Sequence, residues 1–328
     1  MIPEYHYRIE DDSLVLPFFK RRIVSPLFSV VPRSLPANMI TIFSNILMYM
    51  ALVAALIEFP VRSLRFIVIA VLVFGYLIGD HFDGMQAKRT GTSSALGEFC
   101  DHFLDVFNNG ILVFIVCLSF EITNPALVAI FLTAGYLTHA IIFHEQFHSK
   151  CLRFGKFGSL ESAMILSTLM LICAIEPVYR FFMQKLFGVY TLAELFFIVS
   201  SIGAIATFMH YVIRTGVRDF LFWLFCVLLI SLSVASVFYM PPSAIFYIIT
   251  ACSTIYIGNL QRGHLVDGKN RIPEIAAPVF IVLAFVFEPL RNKICMYALY
   301  IYLACRIFLI TCDVVYSLRR FWVWKNPA

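Results

Sequence analysis

Asp80-His81-Phe82-Asp83-Gly84-Met85-Gln86-Ala87-Lys88-Arg89, followed after a short polar break by Gly97-Glu98-Phe99-Cys100-Asp101-His102-Phe103-Leu104-Asp105, decides how the chain is read. Apolar runs enter and leave this stretch, with Asp80, Asp83, Asp101 and Asp105 placed between them. At about 100° per residue, Asp80, Asp83, Gly84 and Ala87 fall on one side of a helix. Gly97, Asp101 and Asp105, spaced by four, form a stripe on a second helix. An aspartate at the centre of a membrane helix costs about 2.5–3.5 kcal/mol, so four without partners would cost about 10 kcal/mol or more. Two facing helices that pool these carboxylates make a hard, oxygen-rich site suited to Mg2+ or Mn2+, which offsets that cost.

The whole chain agrees with a membrane setting. Its 328 residues are 61% hydrophobic and 14% charged, against about 25% charged in soluble domains. The mean hydropathy is +0.86. The net charge of +5 does not point to nucleic acid, because the basic residues are dispersed between apolar runs. The nine cysteines form no CxxC pair or zinc spacing, and most sit in apolar segments, so they read as small core residues. The polar, charged beginning reads as lacking a cleavable signal peptide.

Runs of about 20 apolar residues mark membrane spans. They fall near 39–58, 64–86, 98–120, 125–147, 160–177, 190–212, 217–239, 243–259, 274–289 and 293–316. The expected fold is therefore all-α, a polytopic bundle of about ten spans in a single integral membrane domain. Residues 1–37 form an N-terminal segment in which Asp11-Asp12-Ser13 caps an amphipathic interfacial helix that ends in Lys20-Arg21-Arg22. Residues 38–213 make a six-span catalytic core and 214–328 a four-span extension. Lys and Arg concentrate on alternate connections, at Lys20 to Arg33, Lys88–Arg89, Lys150–Lys156, Arg214–Arg218, Arg262–Arg271 and Arg319–Lys325. That bias places both termini and the aspartate cluster on the cytoplasmic side.

The spacing D-x2-D-G-x2-A-(R)-x8-G-x3-D-x3-D, carried by Asp80, Asp83, Gly84, Ala87, Lys88, Gly97, Asp101 and Asp105, resembles the signature of the CDP-alcohol phosphotransferase family. One position departs: Lys88 stands where the family has arginine, with Arg89 directly after it. Lysine offers a point charge to a phosphate but not the bidentate fork. The resemblance implies that Asp80, Asp83, Asp101 and Asp105 ligate two Mg2+ or Mn2+ ions. Asp105 is also the family's usual candidate base for the acceptor alcohol. It further implies that Gly84 and Gly97 admit the nucleotide, that Ala87 lines the same surface, and that Lys88 and Arg89 meet the diphosphate. Glycines here serve equally as helix-packing residues, and Lys88 and Arg89 as cytoplasmic anchors.

Two further stretches extend the resemblance. Pro36-Ala37-Asn38-Met39-Ile40-Thr41 is similar to the family's P-N-x-I-T start, which brings Asn38 and Thr41 to the nucleotide; the alternative for Asn38 is a helix cap. His144-Glu145-Gln146-Phe147-His148-Ser149, then Gly155 and Glu161, looks like a region of the choline/ethanolamine phosphotransferase branch. Glu145 and His148 share a helix face there and are candidates to assist proton removal from the acceptor. A solvated helix end is the plainer reading of the pair. Arg89-Thr90, Ser94 to Glu98, and Asp101-His102 resemble the same branch.

The expected activity is transfer of choline or ethanolamine phosphate from a CDP-alcohol to a lipid hydroxyl such as diacylglycerol, releasing CMP. The membrane is either a bacterial inner membrane or that of the ER or Golgi. A sibling reading has CDP-diacylglycerol donate a phosphatidyl group to a small alcohol, with Lys150, Arg153 and Lys156 as a cationic acceptor site. A divalent-cation transporter predicts matching acidic sites in both halves; after residue 213 there is none. Spans seven to ten carry no readable constellation, and a homodimer interface or lipid-tail contacts are their expected roles.

Overall fold

The computed structural model describes residues 8–186 and 188–319. Arg320 and Lys325, counted above among the cytoplasmic charges, lie outside the described residues. The helices are α1 (Ala37–Leu56), α2 (Arg62–Thr90), α3 (Ala95–Ser119), α4 (Pro125–Ser149), α5 (Ser159–Cys173), α6 (Glu176–Phe182), α7 (Leu192–Thr215), α8 (Phe220–Val237), α9 (Pro242–Arg262), α10 (Ala276–Val286) and α11 (Lys293–Leu318). Local chemistry sets many of their ends. Ser94 Oγ accepts from Gly97 N to open α3, Asn124 Oδ1 accepts from Ala126 N ahead of Pro125 to open α4, and Asp219 Oδ1 accepts from Leu221 N to open α8. Gly91 and Gly216, at φ +66° and +58°, close α2 and α7 in the left-handed conformation that glycine enters without strain.

Eight helices among the described residues are long and apolar enough to cross a membrane, nine if α5 and α6 count as one broken span. The chain is a multi-pass membrane protein, with fewer full spans than the expected ten. The apolar run 160–177 breaks at Ala174–Ile175, just ahead of Pro177, and the two pieces meet at 118°. The run 274–289 yields only the 11-residue α10, about 16 Å long against a hydrocarbon layer of about 30 Å. By contrast α9, the least hydrophobic of the eight, continues to Asp267 and is the most buried span. Ser253, Thr254, Asn259 and Gln261 lower its hydropathy, and all are buried within the protein.

Packing divides the chain into two compact units. The first holds the chain up to Phe120 and returns for Arg153–Leu186. In it α1 packs along α2 and α3, and α5 packs on α2. Gly79 on α2 makes the closest approach: a Cβ there would lie 2.7 Å from Ser44 Cβ on α1. The N-terminal segment folds onto this unit. Leu16–Phe19, the π-helical turn Lys20–Val24 and Ser25–Phe28 run on as one helical stretch, which Ser13 Oγ caps by accepting from Leu16 N. Phe19, Val24 and Phe28 are buried while Phe18 and Leu27 are exposed. Ahead of it, Asp12 N and Leu14 N donate to the carbonyls of Phe154 and Lys156. Arg153 Nε bonds Glu10 Oε2 at 2.7 Å and holds that carboxyl below its ordinary pKa. The second unit, Glu121–Leu152 and Phe187–Ser317, packs α4 against α7, α8 and α9, and α8 against α10.

Candidate active site

A cavity of about 480 Å³ opens within the first unit, a size typical of small-molecule sites, which run to about 300–1,000 Å³. Asp80 and Asp83 on α2 line it, as do Asp101 and Asp105 on α3. Carboxylate oxygens of Asp80, Asp101 and Asp105 lie within 4.8 Å of one another. Asp83, buried, points at Thr41 on α1, whose Oγ1 donates to Asp83 Oδ2 at 2.6 Å. Tyr76 OH donates to Asp105 Oδ1 at 2.6 Å. Behind this pair Asn108 Nδ2 bonds Asn45 Oδ1 at 2.8 Å, and Asn45 Nδ2 bonds the Thr41 carbonyl at 2.8 Å. Neutral donors thus fix Asp83 and Asp105, Asp80 and Asp101 have His81 and His102 nearby at 3.8 and 3.9 Å, and among the described residues no lysine or arginine forms an ion pair with any of the four. Like-charged oxygens held this close without a counter-charge suit hard divalent cations, so the residues fit the ions that the sequence implies.

The other expected nucleotide residues divide. Asn38, Thr41, Gly84, Ala87, Lys88 and Gly97 all line the cavity. A Cβ on Gly84 would meet no protein atom within 4 Å, so helix packing does not explain that glycine; the space beside it belongs to the cavity. A Cβ on Gly97 would come 3.3 Å from Ser94 Oγ, the group that caps its own helix. Arg89 turns away: it donates to the Val31 carbonyl at 2.7 Å, bonds Gln86 Oε1 and lies over the Phe28 ring at 4.3 Å. Gln86 in turn binds the carbonyls of Pro32, Arg33 and Leu35. Of the two adjacent cations, Lys88 faces the cavity and Arg89 anchors the 29–36 loop.

Glu145 and His148 are not among the residues lining this cavity. They belong to the second unit, where Glu145 is paired with Arg214 and His148 lies beside His144. Glu161, buried, accepts from Gly158 N at 2.8 Å and from the Ser13 hydroxyl, tying the start of α5 to the N-terminal segment. The sequence places Glu98 and His102 in the branch-like run but gives them no catalytic role. Both line the cavity, with His102 Nδ1 4.0 Å from Glu98 Oε1 and its Nε2 3.9 Å from Asp101 Oδ2. Their offsets of −3 and +1 from Asp101 were the available signal. Asp11, Ser13 and Lys20 add a rim from the N-terminal segment, and partial burial raises the Asp11 carboxyl above its ordinary pKa.

The sequence profile of the CDP-alcohol phosphatidyltransferase family matches residues 34–197. The chain belongs to that family. CDP-alcohol phosphatidyltransferase relatives include an uncharacterised class-I family protein of Schizosaccharomyces pombe, 30% identical over 184 residues, 52% of this chain and 46% of that one. Cholinephosphotransferase 1 of Gallus gallus is 32% identical over 106 residues, 32% of each chain. Choline/ethanolaminephosphotransferase 1 of Saccharomyces cerevisiae is 24% identical over 184 residues, 53% of this chain and 46% of that one. The matched segments span under half the length of these relatives. The family match covers all four aspartates, Lys88 and both cavity glycines.

The two glycine environments separate packing from ligand space by experiment. Gly79→Val forces a side chain into Ser44 and is expected to destabilise the α1–α2 contact by about 1–3 kcal/mol, read as a lowered Tm in detergent. Gly84→Ala is expected to leave Tm unchanged and to raise KM for the nucleotide substrate severalfold. A Tm loss in Gly84→Ala as large as that in Gly79→Val contradicts the assignment.

Proposed function

We propose that the protein is a metal-dependent transferase that moves choline or ethanolamine phosphate from a CDP-alcohol to the hydroxyl of a lipid such as diacylglycerol, releasing CMP. The observation that carries this reading is the convergence of three carboxylates on a cavity that also presents Lys88 and the bare backbone of Gly84. Asp80, Asp83, Asp101 and Asp105 would hold two Mg2+ or Mn2+ ions, which when bound neutralise the diphosphate and the charge that develops as it is cleaved. Thr41 and Tyr76 keep Asp83 and Asp105 aimed by donating to one oxygen each. Lys88 gives the diphosphate a mobile positive charge, and Gly84 with Ala87 lets it lie against α2.

His102 accepts the proton from the lipid hydroxyl, with Glu98 orienting the ring. The lipid oxygen bonds the phosphorus that carries the choline or ethanolamine, and the bridging oxygen of the diphosphate leaves with CMP. Lys and Arg asymmetry supports a cytoplasmic cavity mouth, where a water-soluble nucleotide has access. The sibling reading, with CDP-diacylglycerol as donor, needs free cations for an anionic acceptor. Arg153, one of the three it would use, is engaged by Glu10.

Labelled CDP-choline, CDP-ethanolamine and CDP-diacylglycerol supplied separately to the purified protein test the assignment. CMP release from either of the first two, dependent on diacylglycerol, is expected. Release from CDP-diacylglycerol alone would reverse the lipid's role. The neighbouring cations give a second check. Lys88→Ala is expected to raise KM for the CDP-alcohol about tenfold, and Lys88→Arg to be tolerated. Arg89→Ala is expected to lower Tm with little change in KM; the opposite pattern would move the phosphate contact to Arg89.

A further inference from the structure

Two imidazoles and a carboxylate converge in the second unit, apart from the groups used above. His144 and His148 stand one turn apart on α4, and Asp219 caps α8. His144 Nε2 lies 3.1 Å from Asp219 Oδ2 and 3.2 Å from His148 Nε2, and the third side of the triangle is 3.7 Å. Protons satisfy this triangle poorly. A proton on His144 Nε2 bridges to Asp219, but His148 Nε2 then faces a donor already engaged, and it is too far from the carboxylate to donate to it.

A cation at the centre satisfies all three atoms. With ligand bonds of about 2.0–2.1 Å, neighbouring donors of a tetrahedral site stand about 3.3 Å apart; the three separations here fall on either side of that value. A second observation points the same way. Asn270 Nδ2 donates to Asp219 Oδ2 at 2.5 Å, while its Oδ1 is buried and has no hydrogen-bond partner in the structure. The carboxylate is thus oriented by a neighbour that itself presents an unused acceptor. His144 is buried and His148 exposed, which gives an ion a way in from the surface.

We propose that His144, His148 and Asp219 bind one zinc-class divalent ion, with the fourth position open to water or to Asn270 Oδ1. Two neutral imidazoles and one carboxylate select this class over Mg2+, which prefers an all-oxygen shell. The bound ion ties the end of α4 to the turn between α7 and α8 and stiffens the second unit. It is independent of the aspartate cavity in both residues and chemistry.

The test uses the full chain carrying Asp80→Asn, Asp101→Asn and Asp105→Asn, so that the aspartates do not compete for metal. After chelation and dialysis against Zn2+, about one equivalent per chain is expected, and Co2+ in its place should give the intense visible band of a tetrahedral site. His148→Ala, at an exposed position, should lower retained zinc at least tenfold and remove the Co2+ band. Asp219→Asn should do the same while keeping the helix cap, which asparagine supplies as well as aspartate. Thermal unfolding without metal reports whether each variant is folded. If the triple variant is not, the unsubstituted protein with its aspartates saturated by Mg2+ serves instead. Absence of retained zinc in the parent, or equal zinc in His148→Ala, overturns the proposal.

Discussion

Replacing Asp101 with asparagine is expected to abolish CMP release, by a factor of at least about 10³, while the protein stays folded in detergent. Asp80→Asn and Asp105→Asn should behave alike. The amide keeps the shape of the carboxyl group and removes its charge, so helix packing is preserved and cation affinity is lost. Folding should improve, if it changes at all. Three carboxylates within 4.8 Å of each other repel in the metal-free protein, and removing one relieves that repulsion. A variant with higher Tm and no turnover is the signature of a functional site held together against its own electrostatics. A variant that unfolds would instead mark the aspartates as structural. The change at Asp83 differs, because Thr41 Oγ1 donates to it; Asp83→Asn is expected to cost Tm as well as activity.

The second large effect falls on His102. With glutamine there, kcat for transfer is expected to drop about 10²- to 10⁴-fold, the range that a positioned proton acceptor contributes. Binding of the CDP-alcohol and of Mn2+ should remain within a fewfold of the unsubstituted protein, since glutamine keeps a polar group facing the cavity. Glu98→Gln should give a smaller loss in kcat, because Glu98 orients the ring and does not itself accept the proton. His148→Ala, in the second unit, is expected to leave kcat nearly unchanged. Equal losses at His102 and His148, or a loss only at His148, would return the proton to Glu145 and His148, the pair that the sequence offers to assist its removal.

Much of the cavity was legible because helical spacing is a geometric constraint. Residues three and four apart on α2 and α3 had to share faces, and Asp80, Asp101 and Asp105 meet accordingly. The choice between Lys88 and Arg89 was not legible. It depends on the 29–36 loop, whose carbonyls engage Arg89 and Gln86 and so leave Lys88 to the cavity. Tyr76, Asn45 and Asn108 went unread for a related reason: nothing in an apolar run says which of its polar members faces another helix. Glu98 and His102 sit at fixed offsets from Asp101, but those offsets alone do not say that both side chains face the cavity. Glu145 and His148 matched a local pattern, and local pattern says nothing of which unit a helix joins. Hydropathy also averages over breaks, so it counted the bent α5–α6 pair and the short α10 as full spans. Nor does it say that the polar residues of α9 are buried inside the protein rather than turned to lipid.

The most direct test is to measure labelled CMP released from a CDP-alcohol by the purified protein with diacylglycerol, first in excess EDTA and then after Mg2+ or Mn2+ is restored. No release in EDTA, full recovery on adding back either ion, and no recovery in Asp101→Asn is the expected result. Turnover that persists in EDTA, or that survives the loss of Asp101, would contradict a cavity built to hold divalent cations around a cytidine diphosphate ester.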